Sequence, residues 1–252
     1  MDDLPPVDGN KTAYDRRDDV PSEDELEICL AAMAEGKAGG HDKATAELYR
    51  HLYTCKAELF ALVRQVWLEE EVPADMTTGV FVMLFKNKGS SDDCSKYRMI
   101  CLLPHAYKML STLLLHRLRF ECEGFLNECQ AGFRQHRGCR DQIIILAEMI
   151  AHIQELGHAR AQVSGQDDGK PLASIAFLDY IAAFDSVDHA FLDECLRHAG
   201  ASPKSRGILR SIYSKANAVV RAKDNTSTEF SENFRVNRGV VQGDIVSPYC
   251  FI

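Results

Sequence analysis

The sequence of 252 residues lacks any long apolar run. No stretch approaches the ~18–20 consecutive apolar residues that a membrane-spanning helix needs. The N-terminus is acidic and polar, so it lacks the basic and apolar segments of a secretory signal. Apolar residues still make up 46% of the chain, which is enough for a globular core. These features predict an intracellular globular protein with no membrane partner.

Closely spaced cysteines are also missing. The nine cysteines are scattered, and no two of them form a Cys-x-x-Cys pair. This argues against a zinc knuckle, because such sites use pairs of ligands at short spacing. Without a secretory signal, reduced thiols are the simplest interpretation of these residues.

An excess of positive charge, which nucleic-acid-binding proteins often carry, is absent from the chain as a whole. The formal net charge is −8, and it is concentrated at the N-terminus. Residues 1–36 hold 11 Asp and Glu against 3 Lys and Arg, and the remaining chain is neutral. Within that remainder, residues 84–140 hold ten basic and five acidic side chains. A local basic surface is therefore compatible with the low overall charge, and a solvated surface of mixed charge is the alternative.

The apolar pattern predicts several helices and strands behind an N-terminal segment of low apolar content. Residues 1–21 are predicted to be a disordered acidic leader. A capping-box pattern, Ser22-Glu23-Asp24-Glu25, predicts a helix that runs to about Glu35. Helical spacing of apolar residues predicts further helices over residues 45–71, 105–120, 139–156 and 203–214. β-branched and aromatic runs predict strands over residues 79–85, 216–222 and 230–236.

The stretch AFLDYIAAFDSVDH, residues 176–189, contains the most informative pattern. The apolar run over residues 173–178 predicts a strand that delivers a carboxylate at Asp179, and a helical pattern begins after Asp185. A carboxylate at the end of a buried strand is suited to bind a hard cation such as Mg²⁺, which prefers oxygen ligands. The alternative is that Asp179 only caps the following segment.

Four blocks follow one another along the chain. They are LFKNKG with KYRMICLLP, then QAGFRQHRG, then AFLDYIAAFDSVDH, then RGVVQGDIVSP. Together they resemble the fingers and palm of reverse transcriptases, most closely those of non-LTR (LINE-type) retrotransposons, over roughly residues 22–252. The resemblance implies an α+β fold of the right-hand polymerase type, an antiparallel sheet with packed helices, with the thumb absent. N-terminal helices and fingers would occupy residues 22–172, and a partial palm residues 173–252.

The resemblance implies a two-metal site that uses Mg²⁺. Asp179 would be the first metal-binding, catalytic aspartate, and the backbone carbonyl of Tyr180 would be a further metal ligand. Arg98 and one of Lys86 and Lys88 would neutralise the triphosphate of the incoming nucleotide. Surface salt bridges are the alternative for these three cations.

Three residues are implied to shape the nucleotide pocket. Phe184 would lie beneath the sugar, where a bulky ring collides with a ribose 2′-hydroxyl and so favours deoxynucleotides. RNA-copying RNA polymerases would be expected to carry a polar residue there, so Phe184 argues for DNA synthesis, and plain core packing is the alternative. Gln242 would hydrogen-bond the sugar or base, while Gly243 would let the base pair approach closely.

A template-contacting role is implied for Gly132, Phe133 and Arg134. An arginine after a packed aromatic ring suits phosphate contact, and glycine permits close backbone approach. The alternative is the lead-in to a helix with a surface arginine. Asp185 is expected to have a structural role, such as capping the next helix.

The chain departs from the family pattern in three places. No Asp-Asp pair follows residue 243, although the family's third palm block contains one. We therefore expect a chain truncated before that block, which alone does not polymerise because one carboxylate does not complete a two-metal site. Ala182 stands where the LINE-type pattern usually has Lys, and Val241 where it usually has a basic residue. Decay of the element and ordinary subfamily variation both remain open at these positions.

The function that the resemblance implies is template-directed DNA synthesis from RNA. Its partners would be an RNA template, a DNA primer and a dNTP, with Mg²⁺ and no small-molecule cofactor. The alternative is a catalytically dead, truncated remnant that at most binds nucleic acid weakly. Family habit points to the nucleus as the place of action, although no basic nuclear-import cluster is visible.

Overall fold

The computed structural model describes residues 18–164, 173–223 and 228–252. The predicted leader, residues 1–21, lies almost entirely outside this part of the chain. The helices in the described part are α1 (Glu23–Ala31), α2 (Ala46–His51), α3 (Tyr53–Glu69), α4 (Ala74–Thr77), α5 (His105–Cys122), α6 (Cys139–Ser164), α7 (His189–Ala199), α8 (Pro203–Lys215) and α9 (Ser247–Phe251). The strands are β1 (Thr78–Phe85), β2 (Tyr97–Leu102), β3 (Asn217–Lys223), β4 (Thr228–Phe230) and β5 (Phe234–Arg235).

The strands form one sheet in the order β2-β1-β3-β4, and β5 also pairs with β3. Three pairings are antiparallel, namely β1 with β2, β3 with β4, and β3 with β5. Only β1 and β3 run parallel in this sheet. Helices together with a mainly antiparallel sheet confirm the predicted α+β class. Among the described residues, no helix is both long and apolar enough to cross a membrane.

The predicted helix over residues 45–71 is interrupted. Leu52 has an extended backbone and separates α2 from α3. The guanidinium of Arg50 on α2 donates to the carbonyl oxygens of Leu30 at 3.1 Å and Ala31 at 2.9 Å. These carbonyls lie at the end of α1, where helix carbonyls lack intrahelical partners. The break therefore lets α2 follow α1, while α3 packs against α5.

The predicted strand over residues 230–236 is likewise divided. β4 pairs with β3 through Phe230 opposite Arg221, and β5 pairs with β3 through Phe234 opposite Ala218. Between them, the amide of Ser231 donates to the carbonyl oxygen of Val220 at 2.9 Å. The two short strands therefore share β3 as their neighbour.

The core is built around α5. The leucines predicted for its inner face are fully buried, namely Leu110, Leu113, Leu114 and Leu118. Arg117 of the same helix lies over the buried ring of Trp67, with 4.1 Å from its guanidinium carbon to the ring centroid. It also bonds both carboxylate oxygens of Glu25, at 2.9 and 2.7 Å. Arg117 thus connects α1, α3 and α5.

The prediction of a strand over residues 173–178 is wrong. Residues 173–180 have no regular structure, and residues 181–183 form a turn. Phe177 is 85% exposed and Leu178 is 92% exposed. An apolar run becomes a strand when neighbouring strands take its hydrogen bonds and other side chains cover it. Neither condition holds here. No described strand pairs with this run, and its side chains are exposed.

The chain divides into two compact units. One contains the residues up to Phe125 together with Phe184–Phe251, and it carries the whole sheet. The other contains Leu126–Ala183, including α6. The assignment of fingers to residues 22–172 and of palm to residues 173–252 stays a prediction.

Replacing Arg117 by Ala should lower the free energy of unfolding by about 3 kcal/mol, because Glu25 and Trp67 both lose a largely buried partner. The side chain of Arg117 is only 10% exposed. The control is Arg64→Ala, which breaks an ion pair with Glu23, a residue whose side chain is 62% exposed. That variant should lose less than about 1 kcal/mol. Urea denaturation measures both, and equal losses would contradict the expected ranking.

Candidate nucleotide-binding site

The loop before α9 carries Gln242 and Gly243 and lies against the sheet. The amide of Cys101, on β2, donates to the carbonyl oxygen of Gln242 at 2.8 Å. The side chain of Gln242 is exposed. The backbone of this loop is therefore fixed to β2, while the side-chain carboxamide of Gln242 is available to a ligand.

Gly243 makes this close approach possible. Its φ of +114° is a conformation that residues with a Cβ rarely adopt. A Cβ added here would lie 2.6 Å from the carbonyl oxygen of Cys101. The same loop contains Gly239, at φ +90°, whose Cβ would lie 2.9 Å from the Cα of Asp185. Both glycines therefore stand where two backbone segments touch.

The turn that contains Phe184 is joined to the same loop. The amide of Val240 donates to the carbonyl oxygen of Phe184 at 2.8 Å, and the amide of Gly239 donates to that of Val187 at 2.8 Å. The ring of Phe184 stacks on that of Phe251, with centroids 4.8 Å apart and planes 14° from parallel. Phe184 is thus held both by its backbone and by its ring.

Helices α7 and α8 support the loop from another direction. Nε2 of His189 lies 2.9 Å from the carbonyl oxygen of Gly239. A carbonyl only accepts, so Nε2 carries the proton in this contact. The imidazole ring stacks on Tyr213 of α8 at a centroid distance of 4.5 Å. The start of the loop is therefore fixed to the α7–α8 pair.

The helix cap expected from Asp185 is supplied by Asp188 instead. One carboxylate oxygen of Asp188 accepts from the amides of Ala190 and Phe191, both at 3.0 Å. These hydrogen bonds lower the pKa of the Asp188 carboxyl. The cap of α7 lies three residues after Asp185, because residues Phe184–Ser186 first form a turn of 3₁₀ helix. The choice of Asp185 as the cap was therefore wrong.

Asp244 is a buried carboxylate that the sequence analysis did not assign. It accepts hydrogen bonds from Tyr107 at 3.1 Å, Ser111 at 2.5 Å and Ser247 at 2.9 Å. Burial raises the pKa of the Asp244 carboxyl, although these hydrogen bonds oppose the rise. Burial and the nearby Asp244 carboxyl also raise the pKa of the Cys101 thiol, to about 12. The only sequence signal for a buried acid was its position within the apolar, glycine-containing block.

The cations predicted to meet the triphosphate lie on and beside the β1–β2 hairpin. Arg98 on β2 is exposed and stands opposite Leu84 in the strand register. Lys88, in the connecting loop, is exposed. The ammonium of Lys86 donates to the carbonyl oxygen of Ser95 at 2.9 Å. Within the described ranges none of these three cations forms a salt bridge, so the alternative interpretation gains no support.

The predicted template-contacting residues lie in the other compact unit. Phe133 is 53% exposed and has a φ of +62°. Arg134 is buried, and its guanidinium donates to the carbonyl oxygens of Asn127 at 2.8 Å and Gln130 at 3.3 Å. Arg134 therefore supports the loop that carries Gly132, and its contact with a template stays a prediction.

The predicted metal ligands Asp179 and Tyr180 also belong to that second unit. Both are exposed and lie in the segment without regular structure. In the described part of the chain, no group of three or more His, Cys, Asp or Glu side chains could hold a metal ion. One carboxylate and one carbonyl do not complete a site for Mg²⁺, which prefers octahedral oxygen coordination. The assignment of Asp179 as a ligand stays a prediction.

Comparison with known proteins identifies similar sequences in mobile elements. A family model described as "Reverse transcriptase (RNA-dependent DNA polymerase)" matches residues 85–252. The "Probable RNA-directed DNA polymerase from transposon X-element" of Drosophila melanogaster is 27% identical over 241 residues, which cover 90% of this chain and 24% of the relative.

Two further relatives give the same picture. The "Putative 115 kDa protein in type-1 retrotransposable element R1DM" of Drosophila melanogaster is 26% identical, covering 89% of this chain and 20% of the relative. The "Transposon TX1 uncharacterized 149 kDa protein" of Xenopus laevis is 24% identical, covering 87% and 16%. The chain therefore spans a quarter or less of the length of these three relatives.

Replacing Gly243 by Ala should destabilise the protein by about 3 kcal/mol, because strain at positive φ and a clash with Cys101 act together. Gly36→Ala is the matched control, since Gly36 has a φ of +67° but no atom within 4 Å of an added Cβ. It should cost about 1 kcal/mol, for the strain alone. Thermal unfolding of both variants measures the difference, and equal costs would show that the loop does not need the close approach.

The raised pKa of Asp244 predicts a pH dependence. The folded protein holds this proton to higher pH than the unfolded chain, so its contribution to stability falls as pH rises above about 4. Burial lowers the pKa values of His105 and His116, so the contribution of these two residues to stability rises with pH. Comparison with Asp244→Asn isolates the carboxyl: in urea titrations, the stability of the native protein relative to this variant should decline as the pH rises above about 4. A constant difference would contradict the raised pKa.

Proposed function

The chain belongs to the reverse transcriptase (RNA-dependent DNA polymerase) family, and from that premise we propose that it is part of the RNA-directed DNA polymerase of a non-LTR retrotransposon. Its substrates would be an RNA template, a DNA primer and a dNTP. Because such elements act on nuclear DNA, we also propose the nucleus as its place of action. The relatives are several times longer, so the complete reaction belongs to the whole protein.

One observation carries this proposal: segments from three of the sequence blocks meet within a single compact unit. The loop with Gln242 and Gly243 is bonded to β2 at Cys101 and to the turn at Phe184. Backbone hydrogen bonds of this kind fix the position of a loop more firmly than side-chain contacts alone. A nucleotide could therefore meet the exposed Gln242 side chain and the Phe184 ring at the same surface.

The arrangement of Phe184 supports selection of deoxynucleotides. Its ring is stacked on Phe251, so moving it away from a 2′-hydroxyl would require breaking an aromatic contact. A ring that cannot yield rejects the larger sugar by steric collision. Phe251 is therefore a second residue on which the proposed selectivity depends.

The charges on the hairpin suit the other end of a nucleotide. Lys88 and Arg98 are exposed cations beside β1 and on β2, the strand that also bonds the Gln242 loop. Guanidinium and ammonium groups bind phosphate oxygens through charge-assisted hydrogen bonds. We assign them to the triphosphate, and we assign Gly132, Phe133 and Arg134 to the template strand.

Members of this family use divalent metal ions. We assign Asp179 and the carbonyl of Tyr180 as ligands of Mg²⁺ in the complete polymerase. The described residues do not assemble such a site by themselves.

A second candidate function is nucleic-acid binding without catalysis. It is favoured by the single carboxylate among the predicted metal ligands and by the exposure of the surrounding segment. Primer extension on an RNA template annealed to a DNA primer separates the two candidates. Incorporation that Asp179→Ala abolishes would favour the polymerase, whereas binding without incorporation would favour the second function.

Replacing Phe184 by Val should remove the preference for deoxynucleotides. In competition binding to the chain with RNA template and DNA primer, the native protein should bind dUTP at least about tenfold tighter than UTP, from which it differs only by lacking the 2′-hydroxyl. The variant should bind the two about equally, because the smaller side chain leaves room for the 2′-hydroxyl. Phe191→Val is the control, since Phe191 lies on α7 and is 68% exposed.

The control variant should keep the preference of the native protein. An unchanged preference in Phe184→Val would show that the ring does not select the sugar. If the native chain bound neither nucleotide nor the primed template, the proposed function itself would be refuted.

A further inference from the structure

Building on the function proposed above, we propose that Asp244 is a positioning residue that holds the Gln242–Gly243 loop in the geometry that receives the nucleotide. Asp244 is 5% exposed and does not itself face a ligand. It lies two residues after Gln242, at the point where the loop passes from β2 toward α9. Its action on the nucleotide would therefore be transmitted through the backbone of the loop.

The carboxylate is surrounded by hydrogen-bond donors. Oδ1 accepts from the hydroxyl of Ser111 at 2.5 Å and from the amide of Ile245 at 2.6 Å. Oδ2 accepts from the hydroxyls of Tyr107 at 3.1 Å and Ser247 at 2.9 Å. Each oxygen thus has two partners, and the orientation of the carboxylate is fixed in all directions.

Two of these donors come from α5, the helix around which the core is built. Tyr107 and Ser111 are one turn apart on α5, and both are buried. The hydroxyl of Ser111 has a second role, because it accepts from the amide of Val246 at 3.0 Å. α5 therefore holds the loop at two successive points, the Asp244 side chain and the Val246 backbone.

A carboxylate is a costly group to bury, and its donors here are neutral. An apolar side chain of similar size would avoid the desolvation penalty, but it would leave Tyr107, Ser247 and the Ile245 amide without their acceptor. What the carboxylate adds over an apolar group is direction, since hydrogen bonds fix angles that apolar packing does not. That direction is transmitted to Gln242, whose carbonyl oxygen is bonded to β2 on the other side.

The geometry predicts different outcomes for two substitutions. Asp244→Asn can keep the contacts, because its amide NH₂ can donate to the oxygens of Tyr107 and Ser247 while its carbonyl accepts from Ser111 and Ile245. Asp244→Leu keeps the size but removes every hydrogen bond. If Asp244 positions the loop, the Asn variant should behave like the native protein and the Leu variant should not.

Two measurements on the full chain test this. Hydrogen–deuterium exchange should show that the amides of residues 240–246 exchange at least about tenfold faster in Asp244→Leu. Binding of dTTP, with RNA template and DNA primer present, should weaken by about tenfold in the same variant. Asp244→Asn should stay within about threefold of the native protein in both. Ser111→Ala is the milder variant if Asp244→Leu fails to fold, and it should shift both measurements in the same direction.

Leu118→Ala controls for a general loss of stability. Leu118 is a fully buried residue of α5, and its truncation should lower the melting temperature without selectively exposing residues 240–246. Loop exchange at the native rate in Asp244→Leu, or faster exchange with unchanged dTTP affinity, would overturn the inference. If the native chain did not bind dTTP, the proposed function would fail, while the exchange data would still decide whether Asp244 fixes the loop.

Discussion

The close approach of backbone to backbone at the Gln242–Gly243 loop is the constraint on which the candidate site depends. The loop touches β2 at Cys101 and the Phe184 turn at Val240, and each contact is a hydrogen bond of 2.8 Å. A side chain at Gly243 or Gly239 would occupy the space that these contacts use. The glycines therefore determine where Gln242 and Phe184 stand relative to each other. The side chains of these two residues can then contact a ligand from positions that the backbone fixes.

Local pattern in the sequence predicted the parts of the fold that depend on local interactions. The apolar face of α5 was predicted from helical spacing, and the strands β1 and β3 were predicted from β-branched and aromatic runs. Strand β2 was not predicted. The pocket residues Phe184, Gln242 and Gly243 were found by motif, and the structure brings their segments together. These residues were assigned to one pocket from the order of the motifs, because the blocks are far apart in the sequence and no local pattern relates them.

Two of the failures concern groups whose state is set by distant partners, and one concerns a local turn. The run over residues 173–178 has the composition of a strand, but composition does not supply the neighbouring strand that its backbone needs. Asp185 and Asp188 are equally good caps in the sequence, but Asp185 lies within a short 3₁₀ turn, Phe184–Ser186, and Asp188 becomes the cap. Asp244 was missed because its donors Tyr107 and Ser111 are more than 130 residues away.

The uneven distribution of charge acquires a physical meaning in the structure. Three acidic residues of α1 and the segment after it are paired with nearby cations, Glu23 with Arg64, Glu25 with Arg117, and Glu35 with Arg50. Their charge is thus largely neutralised at short range, where it stabilises the packing of the N-terminal helices. Lys96 in the β1–β2 connection pairs with Asp93, whereas Lys86, Lys88 and Arg98 form no salt bridge within the described residues. At ionic strengths that screen distant charges, an approaching phosphate would therefore encounter the hairpin cations rather than the net charge of −8.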